Sequence, residues 1–149
     1  MRSVRAPKFL LALTTAAVLV LAACGSDSSA TSAPAPGAEG TWELMDPGQV
    51  TPDSTSIDIG VTRIACASGM TGEIEQPIVS YEPDQIIIRS DVVPHEDPDA
   101  VFTCPGNDAV PVTVKLDEPI GDREMVDGIC LAGEATGITP CADSVRWQP

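Results

Sequence analysis

Aromatic residues and histidine are scarce in this chain of 149 residues, which contains two Trp, one Tyr, two Phe and one His. Surfaces that stack nucleic acid bases or sugars usually need several aromatic side chains on one face. A serine catalytic triad needs a base within hydrogen-bond reach of its nucleophile, and His95 is the only histidine. The composition therefore disfavours a stacking platform and leaves few residues for acid–base chemistry.

Basic residues are also few. The first 23 residues hold three of the eight basic residues and no acidic one, so the remainder carries five basic against 22 acidic residues, a net charge of −17. Phosphate contacts need Lys and Arg, and anionic lipid headgroups repel a negative surface. We therefore expect no nucleic acid partner.

The apolar run near the N-terminus is too short for a permanent membrane-spanning helix. Phe9–Leu21 covers 13 residues without charge, whereas a spanning helix needs about 20. The run follows the short basic segment Met1–Lys8, and this combination is typical of a secretory signal peptide. We predict that residues 1–23 are a signal peptide, which is removed.

The last residues of the predicted signal peptide indicate which class of export signal it belongs to. Leu21, Ala22, Ala23 and Cys24 resemble the lipobox of bacterial lipoproteins, in which a branched apolar residue and two small residues precede a cysteine. The resemblance implies a palmitate-type diacylglyceryl group on the Cys24 thiol and cleavage between Ala23 and Cys24. An ordinary secretory signal with a chance cysteine is the alternative. Two acyl chains anchor a protein stably, so we expect a lipoprotein on the extracytoplasmic face of the cell membrane.

Residues 24–40 are predicted to be a flexible linker. The stretch GSDSSATSAPAPGAEG, residues 25–40, has no apolar period and too little apolar surface to fold. A single domain is expected over residues 41–149, with Trp42 and Leu44 among the first residues to contact it.

From residue 56 onwards, short apolar stretches alternate with polar residues and turn signals, which indicates half-buried strands. The turn Glu82-Pro83-Asp84 predicts a hairpin, and Pro111 predicts a strand at a sheet edge. We predict an all-β fold, a small disulfide-bonded β-sandwich of immunoglobulin-like or Greek-key type. The predicted strands are 57–64, 74–81, 85–93, 101–104, 110–116, 123–130 and 145–147.

Four cysteines remain after Cys24, namely Cys66, Cys104, Cys130 and Cys141. An even number in an oxidising compartment predicts disulfides, and three pairings are possible. We favour Cys66–Cys104 and Cys130–Cys141, each contributing about 3–4 kcal/mol in the chain-entropy model. The spacings fit no zinc pattern, so we expect no metal and no cofactor.

The loop at residues 94–99 (PHEDPD) holds the few candidates for chemistry. His95 could act as a base in an envelope enzyme, and Asp97 and Asp99 could contribute to a calcium site. Calcium needs six to eight converging oxygens, usually with a glycine in the turn, and the loop lacks this arrangement. A solvated acidic loop is the favoured interpretation.

The other charged or bulky residues have structural interpretations. Asp117 and Glu118 could pair as carboxylates, but neighbours on a strand point to opposite faces, so we expect them to end a strand. Residues 122–124 are expected to form a surface ion pair. Five more residues are expected to pack in the core or at its rim: Trp42, Met70, Met125, Val126 and Trp147.

Four motifs occur in a fixed order: TRIACASGMTGE at 62–73, TCPGN at 103–107, EPIGDR at 118–123 and VDGIC at 126–130. Together they resemble a group of small secreted or lipid-anchored proteins of high-GC Gram-positive bacteria, over roughly residues 42–149. The resemblance implies an envelope location and supplies no site residue. We predict a monomeric, non-catalytic binding or structural module with an unidentified envelope protein or glycan partner. An enzyme that uses His95 or a carboxylate as base, and a calcium-stabilised module, are the alternatives.

Overall fold

The computed structural model describes residues 38–97, 99–131, 135 and 137–149, which belong to one compact unit, Ser32–Pro149. The predicted signal peptide, the predicted lipid-attachment residue Cys24 and most of the predicted linker lie outside these residues. The described part is all-β, as predicted. Its strands are β1 (Glu39–Leu44), β2 (Ser56–Arg63), β3 (Ile78–Tyr81), β4 (Gln85–Asp91), β5 (Val110–Lys115), β6 (Glu124–Asp127) and β7 (Val145–Trp147).

Alternating sequence explains β2 and β4. In β2, Ile57, Ile59 and Val61 are buried, with 3% or less of each exposed. In β4, Ile86 and Ile88 are fully buried, whereas every second residue, starting from Gln85, is only half-buried. Because successive side chains of a strand point to opposite faces, each strand turns one apolar face into the core.

β3 and β4 form the hairpin that was predicted through residues 82–84. Residues 78–81 pair in antiparallel register with residues 86–89. The predicted strand 74–81 is shorter in the structure, where Ile74 forms only an isolated bridge to Val92. The proline in the turn presets the backbone angle that a tight connection needs.

The strands join in one mixed sheet with the order β5-β2-β1-β4-β6-β7, and β3 pairs with β4 beside that path. A short antiparallel contact of Glu39 with Asp91 and of Gly40 with Ser90 links β1 to β4. β4 and β6 run parallel. The β1–β4 contact joins the described strands in one sheet. The predicted two-layer sandwich is therefore not confirmed. Pro111 lies in the edge strand β5, as predicted.

Both halves of the sheet contribute to one core. Trp42 of β1 is fully buried, and its Nε1 donates a hydrogen bond to the Ile88 carbonyl at 2.8 Å. This bond satisfies the one polar atom of the indole, as buried Trp requires. Met125 of β6 is also fully buried, and Trp147 of β7 packs against the same cluster. Both tryptophans thus have the packing roles that the sequence predicted.

The domain has two different ends. Gly40, near the start of β1, pairs with Arg63 at the end of β2 and with Ser90 near the end of β4. The connections 64–77, 92–109 and 128–144 all leave strands at this end, and we call it the loop end. The shorter connections 45–55, 82–84 and 116–123 lie at the opposite end, which we call the turn end.

Both disulfides lie at the loop end. Cys66 is bonded to Cys104 with a Cα–Cα distance of 4.7 Å, and Cys130 to Cys141 with 5.0 Å. This is the pairing that the sequence analysis favoured. The first bond joins two of the long connections, and the second closes part of the third, so disulfides constrain all three.

Besides the shortened strand 74–81, the structure differs from the sequence-based strand assignment in three further places. β1 was not predicted, yet it begins at Glu39, and Ala38 before it is only 2% exposed. Residues 101–104 form no strand. The predicted strand 123–130 ends at Asp127, because the Asp127 carboxylate accepts a hydrogen bond from Ile129 N and caps the single-turn 3-10 helix Gly128–Cys130.

Two core candidates behave differently from each other. Val126 is buried with 2% exposed, whereas Met70 is 60% exposed. Met70 follows Gly69, whose positive φ of 94° belongs to a tight turn at the loop end. A side chain at the outside of such a turn has no core to reach.

The contact between β1 and β4 can be tested with Gly40→Ala. A Cβ at residue 40 would lie 2.5 Å from the Ser90 carbonyl oxygen and 3.1 Å from Val61 Cγ1. Because the nearer atom is backbone, we expect a loss of about 1–3 kcal/mol in the free energy of unfolding, measured by urea denaturation. The control is Gly48→Ala, where the nearest atom is 3.5 Å away on a flexible side chain. Equal losses would contradict a close β1–β4 approach.

Candidate functional site: a cleft at the loop end

A cleft of about 440 Å³ lies at the loop end. It is lined by Thr41 of β1, residues 62–66 at the end of β2, Cys104, residues 106–107, and residues 138–140. Small-ligand sites commonly have volumes of this order. The cleft therefore lies where β1 and β2 meet segments that both disulfides hold.

The lining is almost free of charge. Among the described residues that line the cleft, Arg63 is the only charged one. Its Nε donates to the Thr71 carbonyl at 3.0 Å and its Nη2 to the Val93 carbonyl at 2.6 Å, and neither acceptor residue lines the cleft. Two of its nitrogens are thus hydrogen-bonded outside the cleft, and the other described residues of the lining supply hydroxyl, amide, disulfide and aliphatic groups.

Burial affects Arg63 itself, which is only 3% exposed. Desolvation lowers the pKa of Arg63, and the nearby Glu39 carboxylate raises it in part. An arginine side chain starts from so high a pKa that it stays protonated in proteins. Its role is to join the end of β2 to two loop carbonyls as a permanently charged donor.

Asn107 holds one wall of the cleft in place. Its Nδ2 donates hydrogen bonds to the carbonyls of Arg63 and Ala65 at 2.9 and 2.8 Å. Two carbonyl acceptors identify this atom as the amide nitrogen, because the amide oxygen could not donate. Together with the Cys66–Cys104 disulfide, the amide fixes the loop around residues 104–107 to the end of β2.

A buried ion pair supports the other wall. Asp127 is fully buried, and its Oδ2 accepts hydrogen bonds from Thr41 Oγ1 at 2.7 Å and from Trp42 N at 3.1 Å. Arg146 Nη2 approaches the same oxygen to 2.9 Å and also donates to the Pro140 carbonyl at 2.8 Å. Because Thr41 and Pro140 both line the cleft, one ion pair positions both residues.

A second charged pair lies on β4, outside the cleft. Arg89 Nε donates to Asp91 Oδ2 at 2.8 Å. Burial raises the pKa of Asp91, the Arg89 hydrogen bond and charge act in the opposite direction, and the carboxylates of Glu75 and Glu39 add to the rise. The negative charge of Asp91 is therefore unfavourable in the folded protein relative to the unfolded chain.

The candidates of the acidic loop are not brought into the cleft. The His95 ring stacks on Phe102 with a centroid distance of 4.1 Å. Asp97 Oδ1 accepts a hydrogen bond from Asp99 N at 2.9 Å, a local turn contact, and Pro98 between them lies outside the described residues. In the part of the chain that the structure describes, no group of three or more His, Cys, Asp or Glu residues could hold a metal ion.

The acidic candidates near residue 120 lie at the turn end and have separate partners. Asp117 N donates to Tyr81 Oη at 2.8 Å. Glu118 forms an ion pair with Arg123. The ion pair expected within residues 122–124 therefore forms between Arg123 and an earlier residue, because the turn at Gly121 brings the two side chains together.

Apart from the disulfide Cys66–Cys104, the residues that build the cleft were not singled out as site residues by the sequence analysis. Asn107 follows Pro-Gly in a recognisable turn, and Asp127 precedes a glycine within an apolar strand, which is a signal for a capping residue. Thr41 and Arg146 carry no local signal. Both contact the Asp127 carboxylate, which is remote from Thr41 in sequence.

Comparison of the chain with protein-family models, with curated proteins and with solved structures finds no match in any of the three. Among the described residues, no helix has the length and apolar character needed to cross a membrane. The function is therefore inferred from the residues of this chain and their geometry.

Asp127→Asn tests the buried ion pair. The change keeps the shape of the side chain and leaves the Arg146 guanidinium, 5% exposed, beside a neutral amide. We expect a loss of about 3–5 kcal/mol in the free energy of unfolding, measured by urea denaturation. The control is Glu43→Gln, which removes an exposed partner of the same arginine at 3.3 Å and should cost no more than about 1 kcal/mol. A smaller loss for Asp127→Asn than for the control would contradict this role.

The raised pKa of Asp91 predicts a pH dependence of stability. Between the unfolded value of about 3.9 and the raised folded value, the folded protein binds more protons than the unfolded chain. Stability therefore falls as pH rises through this interval. Asp91→Asn does not titrate, so the free energy of unfolding of the wild type should fall relative to the variant as pH rises. Urea denaturation of both proteins between about pH 3.5 and pH 7 measures this difference, and a difference constant with pH would contradict it.

Proposed function

We propose that this protein is a lipoprotein anchored through Cys24 on the extracytoplasmic face of the cell membrane, and that its β domain is a non-catalytic binding module of the envelope. The observation that carries the binding role is the cleft at the loop end, whose described lining has Arg63 as its only charged residue. Among the described residues of its lining, the threonine hydroxyls lie beside an amide, a disulfide and aliphatic groups, without a histidine or carboxylate to serve as base. Such a lining favours binding over acid–base chemistry.

The proposed anchor depends on the N-terminal sequence. A basic segment, an apolar run of 13 residues and the motif Leu21-Ala22-Ala23-Cys24 follow one another in the order typical of lipoprotein signals. The disulfides support export as well, since disulfides persist in oxidising compartments and are rare in the cytosol. Both features agree on an extracytoplasmic location.

Preorganisation of the cleft supports the binding role. Functional residues are often carried on loops that a rigid scaffold positions. Here the Cys66–Cys104 disulfide, the Asn107 amide and the Asp127–Arg146 pair fix the walls before any ligand arrives. Ordering loops and side chains on binding costs conformational entropy. In this cleft the covalent bonds and buried contacts order the walls when the protein folds, so binding loses less entropy.

The anchor is tested by the intact mass of the protein extracted from its native membrane. The wild-type mass should begin at Cys24, include acyl chains and rise by four hydrogens on reduction, because two disulfides are present. Cys24→Ala should abolish the acyl mass and the membrane association, whereas the neighbouring change Ser26→Ala should leave both unchanged. A wild-type mass without lipid, or one that begins at another residue, would overturn the proposal.

A further inference from the structure

The chain enters the fold at the same end as the cleft. Ala38 is buried, and its carbonyl accepts a hydrogen bond from Val92 N at 2.9 Å. Three residues later, Thr41 lines the cleft. The point at which the proposed linker joins the domain and the site proposed for binding are therefore both at the loop end.

The distance from the proposed anchor to this point is limited by chain length. Residue 38 follows Cys24 by only 14 positions, and a chain spans at most about 3.6 Å per residue, or about 50 Å in total. The turn end lies farther from residue 38 than the loop end does, because the eight residues of β2 extend over about 25 Å. Of the two ends, the loop end is the one at which residue 38 lies.

The chemistry of the cleft limits what it can take from that surface. Thr62 and Thr139 offer hydroxyl groups, and Ile64, Ile138 and Pro140 offer aliphatic surface. Hydroxyl groups both donate and accept hydrogen bonds, and aliphatic side chains pack against the C–H groups of a ligand. The lining thus matches an uncharged group with several hydroxyls.

Charge argues against an anionic ligand. The chain after residue 23 has a net charge of −17, which repels anions at long range. The one guanidinium of the lining, Arg63, donates to backbone carbonyls outside the cleft. Arg63 is thus the one described cation of the lining, and its Nε and Nη2 are already hydrogen-bonded outside the cleft.

We propose that the cleft binds the uncharged, hydroxyl-bearing headgroup of a membrane lipid, while the acyl chains of that lipid stay in the bilayer. This inference rests on the lipid anchor and the binding role proposed above. It adds the chemical class of the ligand and its source at the membrane surface. The position of the cleft beside the linker, and a described lining in which Arg63 is the only charged residue, are the two observations that lead to it.

The test uses the mature lipidated protein in phosphatidylcholine vesicles that contain a galactosyl diacylglycerol. Binding at about ten times Kd should raise Tm by about 4 °C relative to plain phosphatidylcholine. Phosphatidylglycerol in place of the sugar lipid should give no rise. Soluble galactosylglycerol at the same bulk concentration should give a smaller rise, because anchoring increases the effective concentration of the lipid.

Matched tryptophan variants locate the effect. Thr139→Trp should fill the cleft from its exposed rim and abolish the rise, and Thr62→Trp provides a second filling variant if the first does not fold. Thr55→Trp, at an exposed threonine of the turn end, should keep the full rise.

The outcomes separate this inference from the proposed function. No rise with the sugar lipid, a rise only with phosphatidylglycerol, or a full rise in a folded cleft variant would overturn the headgroup site and leave the anchor intact. An equal rise with soluble galactosylglycerol would overturn the membrane source. An intact mass without acyl chains would instead overturn the anchor on which the proposal depends.

Discussion

The buried carboxylate of Asp127 is the interaction on which the arrangement of the domain depends. An ionised group taken out of water is very unfavourable unless it is paired and hydrogen-bonded, and Asp127 finds its partners on separate parts of the chain. It bonds to β1 through Thr41 and Trp42, ends β6 by capping the following 3-10 helix, and pairs with Arg146 of β7. The hydrogen bonds and the ion pair of this one carboxylate thus join three strands, next to the cleft.

The same end of the domain combines long connections with strong constraints. Irregular segments of this length cost much conformational entropy to order, and the third of them buries a small apolar cluster of its own, formed by Ile129, Cys130 and Ala135. The disulfides Cys66–Cys104 and Cys130–Cys141, with the Asn107 amide, reduce this cost by limiting the freedom of the loops. The strands supply the core, and the covalent bonds supply order at the loop end. This division of roles agrees with the export that we propose, since disulfides persist in oxidising compartments.

Charge is distributed in a way that agrees with a binding role for the cleft. The surface carries a large excess of acidic residues, which favours solubility and keeps the domain away from anionic surfaces. The described lining of the cleft includes no carboxylate, and its arginine is turned to backbone carbonyls. For the binding role proposed here, the acidic exterior would disfavour anionic ligands before any specific contact forms.

Local sequence determined the features that depend on neighbours in the chain. The alternation in β2 and β4, the hairpin turn and the edge position of Pro111 were predicted, because periodicity and the positions of proline report on local backbone structure. The favoured cysteine pairing is confirmed, but it was one of three that the sequence left open. β1 was missed because Gly40, Thr41 and Trp42 are buried in succession, so its sequence lacks alternation. Residues 101–104 resembled a strand, yet Val101 is 96% exposed. The parallel pairing of β4 with β6, the partners of Asp127 and the cleft were decided only by tertiary structure, because each joins residues far apart in the chain and no local pattern records such contacts.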